Sequence, residues 1–133
     1  MTTQPHVDDR RLRFLVVDDT PDIREVMTRM VQRQGHVAEE ASDGVEAVEA
    51  LQRAQYDVML LDLSMPRMTG EEVVRWLQEH PEHAHGVRVV VVSAWAGDKR
   101  PVLQELGIAD VLPKPLRRQQ LEELIADTLG PRS

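Results

Sequence analysis

Carboxylate side chains follow two short apolar segments of the chain. Asp18 and Asp19 come directly after residues 14–17 (FLVV), and Asp62 comes directly after residues 58–61 (VMLL). Two carboxylates about 4 Å apart repel each other by roughly 4 kcal/mol at an effective dielectric constant of 20, so such a group needs a proton or a cation. An open site of oxygen ligands favours Mg²⁺. Four of the five histidines, His36, His80, His83 and His85, follow predicted helices instead, which argues against zinc.

A hydroxyl and an ammonium group occupy equivalent positions further along the chain. Ser93 follows the apolar residues 89–92, and Lys114 follows residues 109–112 and stands between two prolines. Each of these residues alone has an ordinary interpretation, because an aspartate after a strand often caps a helix and a single lysine is usually a solvated charge. Their joint occurrence after four apolar segments favours one shared site.

The elements that would position these residues are short apolar runs alternating with helical patterns. The predicted strands cover residues 14–17, 36–41, 58–61, 89–92 and 109–112. Between them, apolar residues recur at helical spacing, first in a segment that opens at Pro21 and stops at Gly35. Successive β-then-α units with right-handed crossovers predict an α/β fold, a doubly wound five-stranded parallel sheet. Functional residues of such sheets lie at the carboxyl ends of the strands, where the residues above fall.

The composition narrows the functional classes. A length of 133 residues suits one domain, and we expect a polar arm at 1–12, the domain at 13–130 and a tail at 131–133. A net charge of -7 with scattered basic residues argues against nucleic-acid binding. The absence of cysteine excludes disulfides and thiolate chemistry. No apolar run could span a bilayer and the polar start lacks a secretory signal, so we expect a cytoplasmic protein without membrane insertion.

Five stretches together resemble the receiver domain of two-component response regulators, from about Arg13 to Leu129. They are LVVDD (15–19), DVMLLDLSMPRMTG (57–70), VVVVSAW (89–95), GIAD (107–110) and PKP (113–115). The resemblance implies a flavodoxin-like sheet with strand order 2-1-3-4-5. It implies a phosphoacceptor rather than an enzyme, modified by a phosphohistidine of a histidine kinase or phosphotransfer protein and acting on a downstream protein. Since nothing follows Ser133 in the sequence, we expect a single-domain regulator, or else a fragment of a longer protein whose downstream domain is missing.

The resemblance also implies a metal site. Asp62 would be the phosphoacceptor and would bind Mg²⁺ directly, together with Asp19 and the backbone carbonyl of Ser64. Asp18 would act largely through a bound water. A carboxylate attacks phosphorus readily only when the charge of the approaching anion is screened, which a divalent cation provides.

Further residues would bind the phosphoryl group and switch the output surface. Ser93 and Ala94 would form the phosphoryl-binding segment after the fourth strand. Lys114 would pair with Asp62 and then with the phosphate, and its peptide bond to Pro115 would be cis. Movement of the Ser93 hydroxyl toward the phosphoryl oxygens would drag that segment and change the surface.

Three positions depart from the family pattern or vary within it. Val111 stands where the family usually carries tyrosine or phenylalanine, and valine has too few rotamers to swing between solvent and core. We therefore expect an output surface with less of an aromatic rotamer switch. Trp95 would shield the phosphoryl group, contact a partner, or remain an exposed indole without function. Pro101 predicts a late start for the fourth helix.

The sequence leaves three other functions to consider. A receiver-like interaction module with weakened switching is one, since Val111 replaces the usual aromatic residue. A Mg²⁺-dependent phosphatase would need two aspartates separated by one residue after the first strand, and a cap domain. A flavin mononucleotide carrier would need a hydroxyl- and glycine-rich phosphate loop, where Asp18 and Asp19 would repel the phosphate.

Overall fold

The computed structural model describes residues 10–94 and 96–130, with the backbone alone for residues 96–98. Most of the predicted polar arm, the tail and Trp95 lie outside the described residues, so the expectations for them stay predictions. Within these ranges, no helix is long and apolar enough to cross a membrane.

One parallel sheet runs through the middle of the described chain. Its strands are β1 (Arg13–Val17), β2 (Val37–Ala41), β3 (Val58–Leu61), β4 (Arg88–Ser93) and β5 (Asp110–Pro113). They lie in the order β2-β1-β3-β4-β5, and every neighbouring pair is parallel. The predicted doubly wound, flavodoxin-like architecture is confirmed.

Helices connect consecutive strands and follow the last one. They are α1 (Pro21–Arg33), α2 (Gly44–Arg53), α3 (Gly70–Glu79), α4 (Ala96–Glu105) and α5 (Arg118–Leu129), with a 3₁₀ turn at Pro81–His83. Residues at the helix N-termini explain where several of these helices begin. Proline suits the first position of α1 because its missing N–H would have no helical partner there. Asp43 caps α2 by accepting a hydrogen bond from the Glu46 N–H, and Thr69 and Glu72 form a capping box on α3.

Alternating side chains of the sheet build an apolar layer on each face. Leu15 and Leu61 pack against α2 and α3, whereas Phe14, Val16 and Leu60 pack against α1 and α5. All five side chains are fully buried, and each contributes roughly 1.5–3 kcal/mol by leaving water. Helices therefore cover both faces of the sheet, and the carboxyl ends of its strands are left open at one edge.

The fourth helix corrects one expectation. The sequence predicted that Pro101 would delay the helix, but α4 begins at Ala96 and contains Pro101 in its interior. The prediction was wrong because a proline at the sixth position of a helix removes only the one hydrogen bond that its N–H would have made to the residue four positions earlier, a cost that α4 tolerates.

Candidate functional site

The residues at the carboxyl ends of β1, β3, β4 and β5 lie side by side at one edge of the sheet. Backbone hydrogen bonds continue the pairing beyond the strands. The Asp62 N–H donates to the Val17 carbonyl at 3.0 Å, and the Lys114 N–H donates to the Ser93 carbonyl at 3.3 Å. This register brings Asp18, Asp62, Ser93 and Lys114 together, as the sequence predicted.

Three carboxylates converge at this edge. Single oxygen atoms of Asp18, Asp19 and Asp62 all lie within 4.8 Å of one another. Asp18 is fully buried and Asp62 is 5% exposed, whereas Asp19 is exposed, so solvent reaches the cluster from one side. Oxygen ligands with an open side suit a small hard cation that keeps several of its waters. The donor set therefore fits Mg²⁺.

The loop after β3 turns back closely past Asp62. The Ser64 N–H donates to Asp62 Oδ1 at 3.4 Å, which places Ser64 beside the acidic cluster. The loop closes where the Gly70 N–H donates to the Leu63 carbonyl at 3.0 Å. A Cβ atom on Gly70 would lie 2.3 Å from the Asp62 carbonyl oxygen, so this close approach requires glycine.

Lys114 bridges two of the carboxylates. Its Nζ atom lies 2.8 Å from Asp18 Oδ2 and 3.3 Å from Asp62 Oδ1, and the side chain is 16% exposed. The predicted pairing with Asp62 is present, but the nearer partner is Asp18. The peptide bond from Lys114 to Pro115 is cis, as predicted.

Burial and charge set the proton affinities of this group. Burial raises the pKa of the Asp62 carboxyl above its ordinary value, and the charge of Asp18 adds to the rise while Lys114 opposes it. Burial alone would lower the pKa of the Lys114 ammonium. The hydrogen bond to Asp18 and the charges of both carboxylates outweigh that effect, so its pKa is raised. Lys114 stays charged at neutral pH and partly compensates the acidic cluster.

Arg24 holds the backbone of Asp18 in place, a role that the sequence analysis did not predict. Its Nη1 atom donates to the Asp18 backbone carbonyl at 2.8 Å, and its Nε atom pairs with Glu40 on β2 at 2.9 Å. The Thr20 N–H donates to Asp18 Oδ1 at 2.9 Å, which leaves Oδ2 for Lys114. A basic residue near the start of a helix opposes the helix dipole, and that signal could have identified Arg24.

The model of the response regulator receiver domain matches residues 14–126 of the chain. The chain belongs to this family. Receiver domains are signalling modules of two-component systems. Asp18, Asp19, Asp62, Ser93 and Lys114 all lie within the matched range, and together they are called the receiver site below.

Curated relatives agree with this assignment. The receiver is 37% identical over 116 residues to the response regulator MprA of Mycobacterium leprae, which covers 86% of this chain and 48% of that protein. It is 40% identical over 93 residues to a gliding motility regulatory protein of Myxococcus xanthus, covering 68% of this chain and 12% of that protein. The chain thus spans about half the length of MprA and a small part of the second relative.

Solved receiver structures share the fold. The receiver domain of a sensor histidine kinase from Pseudomonas aeruginosa, with a magnesium ion coordinated in its active-site cleft, aligns with a TM-score of 0.81 and 25% identity, covering 92% of this chain and 100% of that one. The response regulator TrrA from Thermotoga maritima, in complex with Mg²⁺-BeF, aligns with a TM-score of 0.77 and 26% identity, covering 88% and 98%.

The segment expected to switch lies beside the acidic cluster. Ser93 is the last residue of β4 and is 8% exposed, and Ala94 after it is exposed. Val111 on β5 is half-buried and packs on a small apolar cluster of Leu63, Val91 and Leu103. Leu63 directly follows Asp62, so this cluster links the centre of the receiver site to β5.

Proposed function

We propose that Asp62 is the phosphoacceptor of this receiver and takes its phosphoryl group from a phosphohistidine in a Mg²⁺-dependent reaction. The observation that carries the proposal is the position of the Lys114 ammonium between Asp18 and Asp62, inside a cluster of three carboxylates. A buried carboxylate held next to a cation and open toward Asp19 is suited to meet an anionic phosphoryl group.

The reaction is a displacement at phosphorus. An Asp62 oxygen forms the new O–P bond, the N–P bond of the phosphohistidine breaks, and the imidazole nitrogen keeps the electron pair. Asp19, Asp62 and the Ser64 carbonyl would hold Mg²⁺, and Asp18 would act largely through a water. The ion, when bound, supplies charge neutralisation for the carboxylates and the phosphoryl oxygens. Lys114 lies close enough to Asp62 to pair with a phosphoryl group there.

An apolar patch beside the site supports a protein donor. A groove of about 450 Å³ next to Lys114 is lined by α1 and by the segment after β5. Ile23 and Val26 of α1 line it together with Pro115 and Leu116, and these two α1 residues are 38% and 57% exposed. Apolar surface next to a charged site suits docking of a histidine kinase or phosphotransfer protein, whose histidine would reach Asp62.

The phosphorylated state would act through the neighbouring segment. A phosphoryl group adds negative charge and acceptor oxygens, to which the Ser93 hydroxyl and the backbone at Ala94 would donate. Because Val111 cannot rotate as an aromatic residue does, the output surface would change through this segment itself. The readout would be binding of a downstream protein or onward transfer of the phosphoryl group in the cytoplasm. The net charge of -7 supports a partner other than nucleic acid.

Phosphorylation with acetyl phosphate and Mg²⁺, followed by intact mass, tests the proposal. Wild type is expected to gain one phosphoryl group, and Asp62→Asn none. Asp22→Asn is the matched control, since Asp22 is an exposed acid in the first turn of α1. A mass gain in Asp62→Asn, or an equal gain by wild type in excess chelator, would contradict the proposal. Turnover of small phosphate esters is not expected beyond slow loss of the protein's own phosphate.

A further inference from the structure

We propose that Arg67 is a positioning residue of the receiver site: its ion pair with Asp43 holds the loop between β3 and α3 in the conformation that binds Mg²⁺. The proposal rests on the metal site of the proposed function. Arg67 lies in the same loop as Ser64, whose carbonyl is the expected metal ligand, while Asp43 lies outside the loop, at the start of α2.

The two side chains make a close ion pair. Arg67 Nε and Nη2 lie 2.6 Å and 2.5 Å from the same oxygen of Asp43, Oδ2. The other oxygen, Oδ1, accepts the Glu46 N–H at 2.8 Å and caps α2. The Asp43 side chain is only 9% exposed. Burial alone would raise the pKa of this carboxyl, but the Glu46 amide and the Arg67 guanidinium outweigh it and lower the pKa.

The backbone of Arg67 adopts an unfavourable conformation. Its φ is 65°, in the left-handed region that a residue with a Cβ atom rarely adopts. Arginine has no short polar side chain that could bond to its own backbone there, as asparagine does. Glycine would take this angle without strain. With arginine at this position, the turn is held by the hydrogen bond from the Met68 N–H to the Pro66 carbonyl at 2.7 Å and by the side-chain contact with Asp43.

The loop also touches α2 through its backbone. A Cβ atom on Gly44 would lie 2.3 Å from the Met68 carbonyl oxygen, so the start of α2 packs directly on the residue after Arg67. The far end of the loop returns to Asp62, where Gly70 permits an equally close approach. Asp43 and Gly44 therefore form one fixed support on α2. A shift of the loop on this support would move Ser64 relative to Asp62.

Because the guanidinium is exposed, we expect the ion pair to contribute little to the free energy of unfolding. Its main effect would be to restrict the conformation of the loop. The Arg67 side chain is 57% exposed, and solvent and salt weaken an ion pair at such a site. Replacing Arg67 by glycine removes the pair and also relieves the backbone strain. Loss of the ion pair lowers the free energy of unfolding and relief of the strain raises it, so the two effects partly cancel in stability. They do not cancel in Mg²⁺ affinity. Stability and metal binding are thus expected to separate.

The experiment compares Mg²⁺ affinity by isothermal titration calorimetry with thermal unfolding in chelator. Arg67→Gly is expected to weaken Mg²⁺ binding by about tenfold, as loss of outer-shell support does at metal sites, with an unfolding temperature close to wild type. Arg67→Lys keeps the charge and is expected to recover part of the affinity. Asp43→Asn keeps the cap on α2 and is expected to weaken binding. The double variant Asp43→Asn with Arg67→Gly should weaken Mg²⁺ binding little more than either single variant, because both substitutions remove the same interaction.

Arg75→Gln is the charge-matched control, since Arg75 is exposed on α3 outside the loop. Unchanged Mg²⁺ affinity in Arg67→Gly would overturn the proposal. So would a loss of affinity that only parallels a loss of stability and is not recovered in Arg67→Lys. If wild type itself bound no Mg²⁺, the proposed function would fall and this proposal with it, which the wild-type titration alone reveals.

Discussion

Asp62→Asn is expected to stabilise the metal-free receiver, although it removes the proposed phosphoacceptor. Asp62 is 5% exposed, and an oxygen of Asp18 lies within 4.8 Å of it. The charged form of Asp62 is therefore unfavourable in the folded protein without a metal, which agrees with its raised pKa. Asparagine keeps the shape and removes the charge.

The magnitude follows from the distances. At an effective dielectric constant of 20, repulsion by Asp18, which has an oxygen within 4.8 Å, amounts to about 3.5 kcal/mol or more, and attraction to Lys114 at 3.3 Å amounts to about 5 kcal/mol. Repulsion by Asp19 is weaker because that side chain is exposed. These terms nearly cancel, so the cost of burying the Asp62 charge decides the sign. We expect a gain of about 2 kcal/mol in the free energy of unfolding, a size typical of removing a poorly compensated buried charge.

Urea unfolding in chelator at neutral pH measures this gain, with Asp22→Asn as a control expected to stay within about 0.5 kcal/mol of wild type. Because the pKa of Asp62 is raised in the folded state, its penalty is present above that pKa. It is lost as the pH falls through it. The gain should therefore shrink in acid. Mg²⁺ should stabilise wild type more than Asp62→Asn. A variant less stable than wild type in chelator, or a gain independent of pH, would refute the reasoning.

Three further predictions concern single side chains. Gly70→Ala places a Cβ atom 2.3 Å from a backbone oxygen and should lower the free energy of unfolding by about 2 kcal/mol or more in urea unfolding, whereas a neutral result would contradict the close approach. Lys114→Gln leaves the buried Asp18 without its ammonium partner and should cost about 3 to 5 kcal/mol in chelator, with partial recovery on adding Mg²⁺. The pKa of Tyr56, the single tyrosine, is raised to about 12 by burial and by its hydrogen bond to Glu39. Its ultraviolet absorbance should accordingly titrate near that pH when folded and near 10 in denaturant.

The sequence was most informative about strands that are buried on both faces. Residues 58–61 form β3 as predicted, because a continuous apolar run has no other favourable place in a doubly wound sheet. The prediction of the edge strand β2 was less exact. The strand begins at Val37, one residue later than predicted, and Val37 is 40% exposed. The strand order came from the family resemblance, since periodicity within each element says nothing about which strands are neighbours.

The site was predictable where residues follow strands and was not where long side chains reach across the fold. Asp18 and Asp62 could be placed together because parallel strands end at one edge. The contacts of Arg24 and Arg67 could not be predicted, because they are tertiary contacts that follow no sequence period. The position of Arg24 near a helix start marks the residue but not its partners. The nearer pairing of Lys114 with Asp18 was missed for the same reason.

The position of Lys114 explains how the folded protein tolerates its acidic cluster before Asp62 is phosphorylated. Asp18 is fully buried, and the Lys114 ammonium lies 2.8 Å from its Oδ2 atom, so the two stabilise each other in the metal-free protein. A phosphoryl group on Asp62 would bring more negative charge than Asp18 carries and would compete for the same ammonium. Asp18 would then need another source of positive charge. Because Asp18 and Asp62 share one cation, the demand for Mg²⁺ should rise as the phosphoryl group is transferred, which couples metal binding to phosphorylation through these residues.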